Sequence, residues 1–184
     1  IIGDLLLMTK IENDKENMQK QRASLDLVVT KVTTALRPLA EQKNIELQAE
    51  WNGDSEVVCD PMRVQQALSN LVDNAIKYTP VGGQVRVYIE SSVDWVTLAV
   101  EDTGVGISPE EQAKVFDRFY RVDKARSRET GGTGLGLYIV KRIALLHEGR
   151  VSIESKKGEG SVFRLHLPRE GAAGRKERRA DENA

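Results

Sequence analysis

The most constraining feature of the sequence is a glycine run, GGTGLG at residues 131–136, which leads directly into apolar residues with helical spacing. Glycine lets backbone N–H groups come close to an anion, and the partial positive charge of a helix N-terminus favours one. The run is therefore typical of a phosphate cradle, although a flexible hinge has the same composition. It matches neither a dinucleotide-binding fingerprint, which needs glycine in place of Ile139, nor a P-loop, which needs lysine and serine or threonine in place of Leu137 and Tyr138.

Composition and charge limit the function more weakly than this run does. The 184 residues allow one domain with a hydrophobic core and an appendage, and a net charge of −1 does not favour nucleic-acid binding. Cys59 is the single cysteine, so it cannot form an internal disulfide, which fits a reducing compartment. The apolar stretch at residues 1–8 is too short to span a bilayer. We expect a cytoplasmic fragment of a longer protein.

Hydrophobic periodicity predicts a mixture of helices and strands. We expect helices at about 26–43, 61–78, 109–116 and 134–147, and strands at about 45–51, 57–59, 85–89, 95–101, 150–154 and 161–167. A polar link precedes the first helix. Pro38 should kink or weaken this helix, because proline lacks the backbone N–H group that a helix interior needs. The strand at 57–59 follows the first strand across a turn signal at 52–54. Asp60 caps the second helix, and residues 108–111 have the pattern of a capping box.

Three stretches contain residues that suit the chemistry of a bound nucleotide. Asn70, Asn74 and Lys77 share one polar face of the second helix, where oxygen ligands beside a cation suit Mg²⁺ held together with phosphate, although a solvated helix face has the same pattern. Asp102 ends an apolar strand and precedes glycines, so it suits an exocyclic amine or a simple turn. The basic loop at 117–133 lacks periodicity and is either functional or disordered.

Taken in order, these stretches resemble the nucleotide-binding boxes of bacterial sensor histidine kinases. Residues 70–80 resemble the N box, 102–107 the G1 box, 115–121 the F box and 132–137 the G2 box, and 158–163 are similar to the closing glycine motif. The resemblance covers residues 25–168. It implies an α+β fold of the Bergerat type, a two-layer α/β sandwich whose mixed, mostly antiparallel sheet has helices packed on one face.

The resemblance also implies roles at the phosphate end of the site. Asn74 would be the Mg²⁺ ligand, supported by Asn70, and Lys77 would approach the phosphates of ATP. Arg121 and Arg126, in the lid, are candidates to reach the terminal phosphate.

At the adenine end, the resemblance places Tyr78 and Ile107 in the wall of the pocket. Asp102 would accept a hydrogen bond from the adenine amine. Gly104 and Gly106 would leave room for the ligand.

The lid and the G2 box would close the site. Phe116 and Phe119 would anchor the first half of the lid in the core, and Leu135 and Leu137 belong to the G2 box as packing more than as ligand contacts. Backbone N–H groups would reach the phosphates from three glycines, Gly132, Gly134 and Gly136.

The implied protein is an ATP- and Mg²⁺-dependent kinase whose partners are its own dimerisation and phosphoacceptor domain, in a homodimer, and the receiver domain of a response regulator. Neither His147 nor His166 fits the acceptor motif, and helix capping and a sheet surface are the roles expected for them. Residues 1–20 resemble the end of the dimerisation hairpin, and residues 169–184 are expected to be a mobile charged tail. The fragment should bind ATP without autophosphorylating, and any membrane link would lie in a missing N-terminal part.

Three alternatives remain open. ATP hydrolases of the gyrase, Hsp90 and mismatch-repair groups place a water-activating glutamate where this chain has Asn70. A serine/threonine kinase of the anti-sigma-factor kind shares the nucleotide motifs, but the hairpin-like residues 1–17 count against it. A nucleotide-sensing module without catalytic output would be expected to lack a metal ligand or glycines, and none is lost here.

Overall fold

The computed structural model describes residues 17–51, 53–122 and 133–170. Its helices are α1 (Leu25–Gln42), α2 (Pro61–Tyr78), α3 (Pro109–Gln112) and α4 (Gly136–Leu146). Its strands are β1 (Gln21–Ser24), β2 (Glu46–Trp51), β3 (Glu56–Cys59), β4 (Gln84–Ser91), β5 (Trp95–Asp102), β6 (Arg150–Lys156) and β7 (Gly160–Pro168). The predictions for residues 1–16, for Arg126 and Gly132, and for the tail beyond residue 170 lie outside the described residues.

A five-stranded mixed sheet forms one layer, with the strand order β2-β4-β5-β7-β6. The β2–β4 pair is parallel, and the pairs β4–β5, β5–β7 and β6–β7 are antiparallel. Val96, Leu98 and Val100 alternate along β5 and point into the core, as the period of a strand requires. The helices cover this apolar face of the sheet. The predicted fold class, a two-layer α+β sandwich with a mixed sheet, is confirmed.

The middle helix of the covering layer is α2, which packs against both α1 and α4. It begins where the sequence predicts, because the Asp60 carboxylate accepts hydrogen bonds from the N–H groups of Met62 and Arg63. Leu68 and Leu71 are almost fully buried on its inner face. Burying such a side chain is worth about 1.5–3 kcal/mol, so this face, more than helix propensity, holds α2 in place.

The structure differs from the prediction at the start of the domain. Residues 21–24, predicted as a polar link, form β1 and pair antiparallel with β3, from Gln21 opposite Cys59 to Ser24 opposite Glu56. The strands β2 and β3, although joined across the predicted turn, do not pair with each other, because β2 lies parallel to β4. A turn signal reports only local dihedral preferences, whereas the pairing partner of a strand depends on residues far along the chain.

The helix α1 runs through Pro38 to Gln42, close to the predicted range of 26–43. Two other local predictions need correction. The helix α3 ends at Gln112, and Ser108 bonds the Glu111 carboxylate at 2.9 Å instead of a backbone N–H group, so the capping box does not form. The predicted tail should begin later than residue 169, since the Arg169 guanidinium donates hydrogen bonds to the Asp54 carboxylate at 2.7 Å and to the Ser92 carbonyl at 3.0 Å.

Candidate nucleotide-binding site

The polar face of α2 meets the N-terminal end of α4. The Asn70 amide donates a hydrogen bond to the Gly136 carbonyl across 3.4 Å. A methyl group added at Gly136 would lie 3.7 Å from the side-chain amide nitrogen of Asn74, so the first turn of α4 passes directly over both asparagines. Lys77 lies further along the same face, with its ammonium group 3.8 Å from the Asp73 carboxylate. The structure therefore brings together the helix face and the glycine run, which are sixty residues apart in sequence.

Among the residues that the structure describes, no side chain caps the first turn of α4. Its N-cap residue is Leu135, whose side chain is buried in the core and makes no capping hydrogen bond. The first N–H groups of a helix lack intrahelical partners, and together with the helix dipole they suit an anion. Leu137 also packs against the core, so both leucines position this turn by packing. Asn70, Asn74 and the helix end thus form a site that fits phosphate and an oxygen-coordinated Mg²⁺.

Asp102 lies at the end of β5, on the face of the sheet that the helices cover. It is only 7% exposed, and its carboxylate accepts a hydrogen bond from the Gly104 N–H group at 2.8 Å. Burial raises the pKa of Asp102 to about 6, while hydrogen bonds from the backbone of Gly104 and Ser161 oppose the increase. A buried carboxylate with remaining acceptor capacity suits recognition of an exocyclic amine.

Two serines that sequence reasoning did not select continue this polar end of the sheet. Ser161 lies opposite Asp102 in the β5–β7 register, and Ser155 lies opposite Ser161 in the β6–β7 register. The two serine hydroxyl oxygens are 2.9 Å apart. Asp102, Ser161 and Ser155 therefore form a polar row at the end of an otherwise apolar face. Only the strand register brings these three residues together. A serine within a strand has no distinctive local pattern, so the sequence alone does not indicate the row.

The loop after β5 packs closely against its neighbours. Gly106 has a φ of +62°, and a methyl group there would strike the backbone of Lys156. A methyl group at Gly104 would lie 2.5 Å from the Asp102 carboxylate and 2.8 Å from the Tyr78 carbonyl oxygen. The resemblance to histidine kinases implies that these two glycines leave room for the ligand. The structure adds a second reason for glycine at both positions, because the loop packs too closely against its neighbours for a side chain.

The loop also meets the residues expected to line the adenine pocket. The Val105 N–H group donates to the Tyr78 carbonyl at 3.3 Å, which ties the loop to the end of α2. The Tyr78 side chain is about half exposed, and Ile107 is partly buried against the core. Tyr78, Asp102 and Ile107 therefore belong to segments that meet at this loop.

The start of the predicted lid is only partly anchored as expected. Phe116 packs edge-to-face on Phe163 with ring centroids 6.2 Å apart. Phe119 is 51% exposed and has a φ of +61°, so the prediction that it anchors the lid in the core is wrong. Its N–H group donates to the Gly134 carbonyl at 3.1 Å, and Tyr120 packs on the core instead.

The remaining predicted site residues are placed as follows. Arg121 is half-buried at the end of the described part of the lid. Gly134 has a φ of +73°, and a methyl group there would meet the Phe119 backbone at 2.9 Å. Gly134 therefore contacts Phe119, and the described residues on the two sides of 123–132 meet at this point. Arg126 and Gly132 belong to the residues that are not described.

Neither histidine lies on the polar face of α2. The buried His147 follows α4; its Nε2 accepts from the Asp60 N–H group at 2.9 Å, so its Nδ1 carries the proton and donates to the Ile143 carbonyl at 2.7 Å. Burial lowers its pKa. His166 lies on the open face of the sheet, with its ring nitrogens 2.9 Å from the Thr97 hydroxyl and 2.8 Å from the Ser152 hydroxyl. These contacts agree with structural roles for both rings.

The described ranges, 17–51, 53–122 and 133–170, contain neither a metal-binding cluster of side chains nor a membrane-spanning helix. Within them, no three His, Cys, Asp or Glu residues cluster as a metal site would require. In the same ranges, no helix has the length and apolar character needed to cross a membrane.

Comparison with known proteins identifies the class. Residues 59–171 match the family of histidine kinase-, DNA gyrase B- and HSP90-like ATPases, and the chain belongs to this family. The chain is 37% identical over 169 residues to the sensor histidine kinase RppB of Synechocystis sp., covering 91% of this chain and 37% of RppB. It is also 37% identical over 168 residues to the sensor-like histidine kinase SenX3 of Mycobacterium tuberculosis, covering 91% of this chain and 41% of SenX3. The chain thus spans about two fifths of these curated relatives.

The solved structures whose fold is similar to this chain include histidine kinases. The full-length ShkA structure in complex with AMPPNP superposes with a TM-score of 0.80 at 26% identity, covering 91% of this chain and 35% of that one. The catalytic domain of histidine kinase ThkA, in a nucleotide-free form, gives a TM-score of 0.73 at 28% identity and covers 83% of this chain and 97% of that domain. The chain therefore has the fold of histidine kinase catalytic domains.

Proposed function

We propose that this chain is the ATP-binding catalytic domain of a two-component sensor histidine kinase. It binds Mg-ATP and transfers the terminal phosphoryl group to a histidine on the dimerisation domain of the same protein. The observation that carries the proposal is the placement of Asn70 and Asn74 under the uncapped first turn of α4, with Asp102 buried at the end of β5. One end of this arrangement suits phosphate and the other suits adenine.

At the phosphate end, the side-chain oxygen of Asn74 is the proposed Mg²⁺ ligand. The metal would draw its other ligands from phosphate oxygens and water, as Mg²⁺ commonly does in proteins. Asn70 holds the first turn of α4 through its hydrogen bond to Gly136, and Lys77 supplies positive charge on the same face. Arg121 and Arg126 are proposed to reach the terminal phosphate from the lid. Phosphoryl transfer depends mainly on positioning and electrostatics, which these groups supply.

The nature of residue 70 favours a kinase over a hydrolase. A hydrolase needs a group that can take a proton from the attacking water, and a carboxamide cannot do so. In this chain the Asn70 amide donates to the Gly136 carbonyl, so it acts as a connection between α2 and α4. The nearby carboxylate of Asp73 lies beside the Lys77 ammonium group.

The proposed partners follow from the same assignment. They are the dimerisation and phosphoacceptor domain of a homodimer and the receiver domain of a response regulator. We place the boundary with the dimerisation hairpin at about residue 20, because β1 pairs with β3 inside the ATP-binding domain. The full protein would be linked to a membrane through an N-terminal part, with this domain in the cytoplasm.

The decisive experiment combines the chain with Mg-ATP and a separately prepared histidine-bearing hairpin from a kinase of this type. An acid-labile, base-stable phosphoryl adduct on the hairpin is the expected product. Phosphate release without an adduct would support a hydrolase, and nucleotide binding without either product would support a sensing module. The Asn74→Ala variant is the control, since it should form no adduct.

A further inference from the structure

The loop that follows β5 is joined to the hairpin between β6 and β7 by hydrogen bonds from both backbones. The Gly158 N–H group donates to the Val105 carbonyl at 2.8 Å. The Ile107 N–H group donates to the Ser155 hydroxyl, also at 2.8 Å. The positive φ of Gly106 lets the loop approach the Lys156 backbone closely. The two segments are about fifty residues apart in sequence, so their contact is a product of the fold.

Gln112, the last residue of α3, bridges the same two segments with its side chain. Its amide nitrogen donates to the Ile107 carbonyl at 2.9 Å and to the Ser155 carbonyl at 2.8 Å. Both amide protons are therefore used, one on each segment. A carboxylate has no proton to donate and a thioether is a weak acceptor, so neither glutamate nor methionine can replace this bridge.

Ser155 extends the connection to the polar row at the end of the sheet. Its hydroxyl accepts from the Ile107 N–H group and donates to the Gly160 carbonyl at 2.8 Å. The same hydroxyl lies 2.9 Å from the hydroxyl of Ser161, which is the cross-strand neighbour of Asp102. The position of Ile107 is thus coupled, through one serine, to the strand that borders Asp102.

We infer that Gln112 and Ser155 are positioning residues that hold the 104–107 loop against the β6–β7 hairpin and so set the shape of the adenine end of the site. The inference rests on the proposed function, because it assumes that adenine lies between this loop and Asp102. Gln112 also stands a few residues before the basic loop at 117–133. Loss of the bridge should affect the adenine end and leave the phosphate end, on α2 and α4, unchanged.

The test uses the whole chain and three substitutions. Gln112→Met removes both amide donors at similar volume, Ser155→Ala removes the hydroxyl, and Ser155→Thr keeps it. Gln48→Met is the matched control, since the Gln48 amide donates to Glu46 on the far edge strand. Hydrogen exchange of the ligand-free protein reports on the loop, and calorimetry with Mg-ATP and with Mg-tripolyphosphate separates the two ends of the site.

In Gln112→Met and Ser155→Ala, we expect the Ile107 and Gly158 amides to exchange about 10-fold faster, because local opening costs less without the bridge. The dissociation constant for Mg-ATP should rise about 5- to 10-fold, because nucleotide binding must then order a loop that the bridge no longer holds, with that for Mg-tripolyphosphate unchanged. Ser155→Thr and Gln48→Met should resemble the wild type in both measurements.

The outcomes separate the inference from the proposed function. If the wild type binds Mg-ATP and the variants keep both its affinity and its exchange rates, the positioning role is refuted while the proposed function stands. Equal weakening of Mg-ATP and Mg-tripolyphosphate would also refute it, because that pattern indicates general damage to the fold. If the wild type binds no Mg-ATP, the proposed function fails and the positioning role fails with it.

Discussion

Replacing Asp102 by asparagine should stabilise the free domain while weakening its hold on adenine. Burial raises the pKa of Asp102 to about 6 from an ordinary value of 3.8. At about 1.4 kcal/mol per pH unit, this difference corresponds to about 3 kcal/mol by which the buried charge destabilises the folded state above pH 6. Asparagine carries no charge and can still accept from the Gly104 N–H group, so Asp102→Asn should raise the free energy of unfolding at pH 7.5 by up to about 3 kcal/mol.

The effect has a defined pH window. Because the folded pKa of Asp102 lies above the unfolded value, the folded state takes up a proton first as the pH falls through 6 towards 3.8. The wild type therefore recovers stability in this window, and the advantage of the variant should shrink almost to zero by about pH 4. Urea unfolding of both proteins at several pH values between 4.5 and 7.5 measures the difference. Glu41→Gln, which neutralises an exposed carboxylate on α1, is the control and should show a small difference at every pH.

Binding should change in the opposite direction. A hydrogen bond to a charged acceptor is worth about 1 kcal/mol more than a neutral one, so Asp102→Asn should weaken Mg-ATP about 5- to 10-fold in calorimetry at pH 7.5. A lower free energy of unfolding for the variant at pH 7.5 would show that the carboxylate is needed for the fold. A stability difference that stays constant between pH 4.5 and 7.5 would refute the electrostatic reasoning.

Three other changes test separate parts of the molecule. Asn74→Ala should abolish measurable Mg-ATP binding in calorimetry, because a methyl group cannot bind the metal; unchanged affinity would contradict the metal assignment. Gly106→Ala should lower the free energy of unfolding by about 1–3 kcal/mol in urea titrations, since Gly106 has a positive φ and faces the Lys156 backbone; Gly53→Ala, in open space, should cost less. Because burial lowers the pKa of His147, the unfolded state takes up the proton first below pH 6.5, and the destabilisation caused by His147→Gln should shrink from pH 7.5 to 5.5. A stability difference between the wild type and His147→Gln that does not change with pH would contradict the assignment of His147 as a buried, neutral imidazole.

The sequence by itself determined the elements that carry the site. The cap at Asp60 and the helical spacing of Leu68 and Leu71 predicted α2 with its polar face outward, and the structure agrees. The alternation along β5 predicted that Asp102 would end a buried strand. The glycine run suggested both a hinge and a phosphate cradle; the free N-terminal end of α4 at Gly136 fits the cradle, and the hinge stays a prediction. Such features follow from dihedral preferences and side-chain period within one segment.

Only the tertiary structure decided how these segments meet. The pairing of β1 with β3, the contact of Phe119 with Gly134 and the placement of Ser161 beside Asp102 depend on contacts between residues that are not neighbours along the chain. The Gln112 bridge has the same character, since its two acceptor carbonyls are about fifty residues apart. Neighbours along the chain set the conformation of a segment, whereas its pairing, burial and hydrogen-bond partners are chosen by the packed whole, which local patterns do not encode.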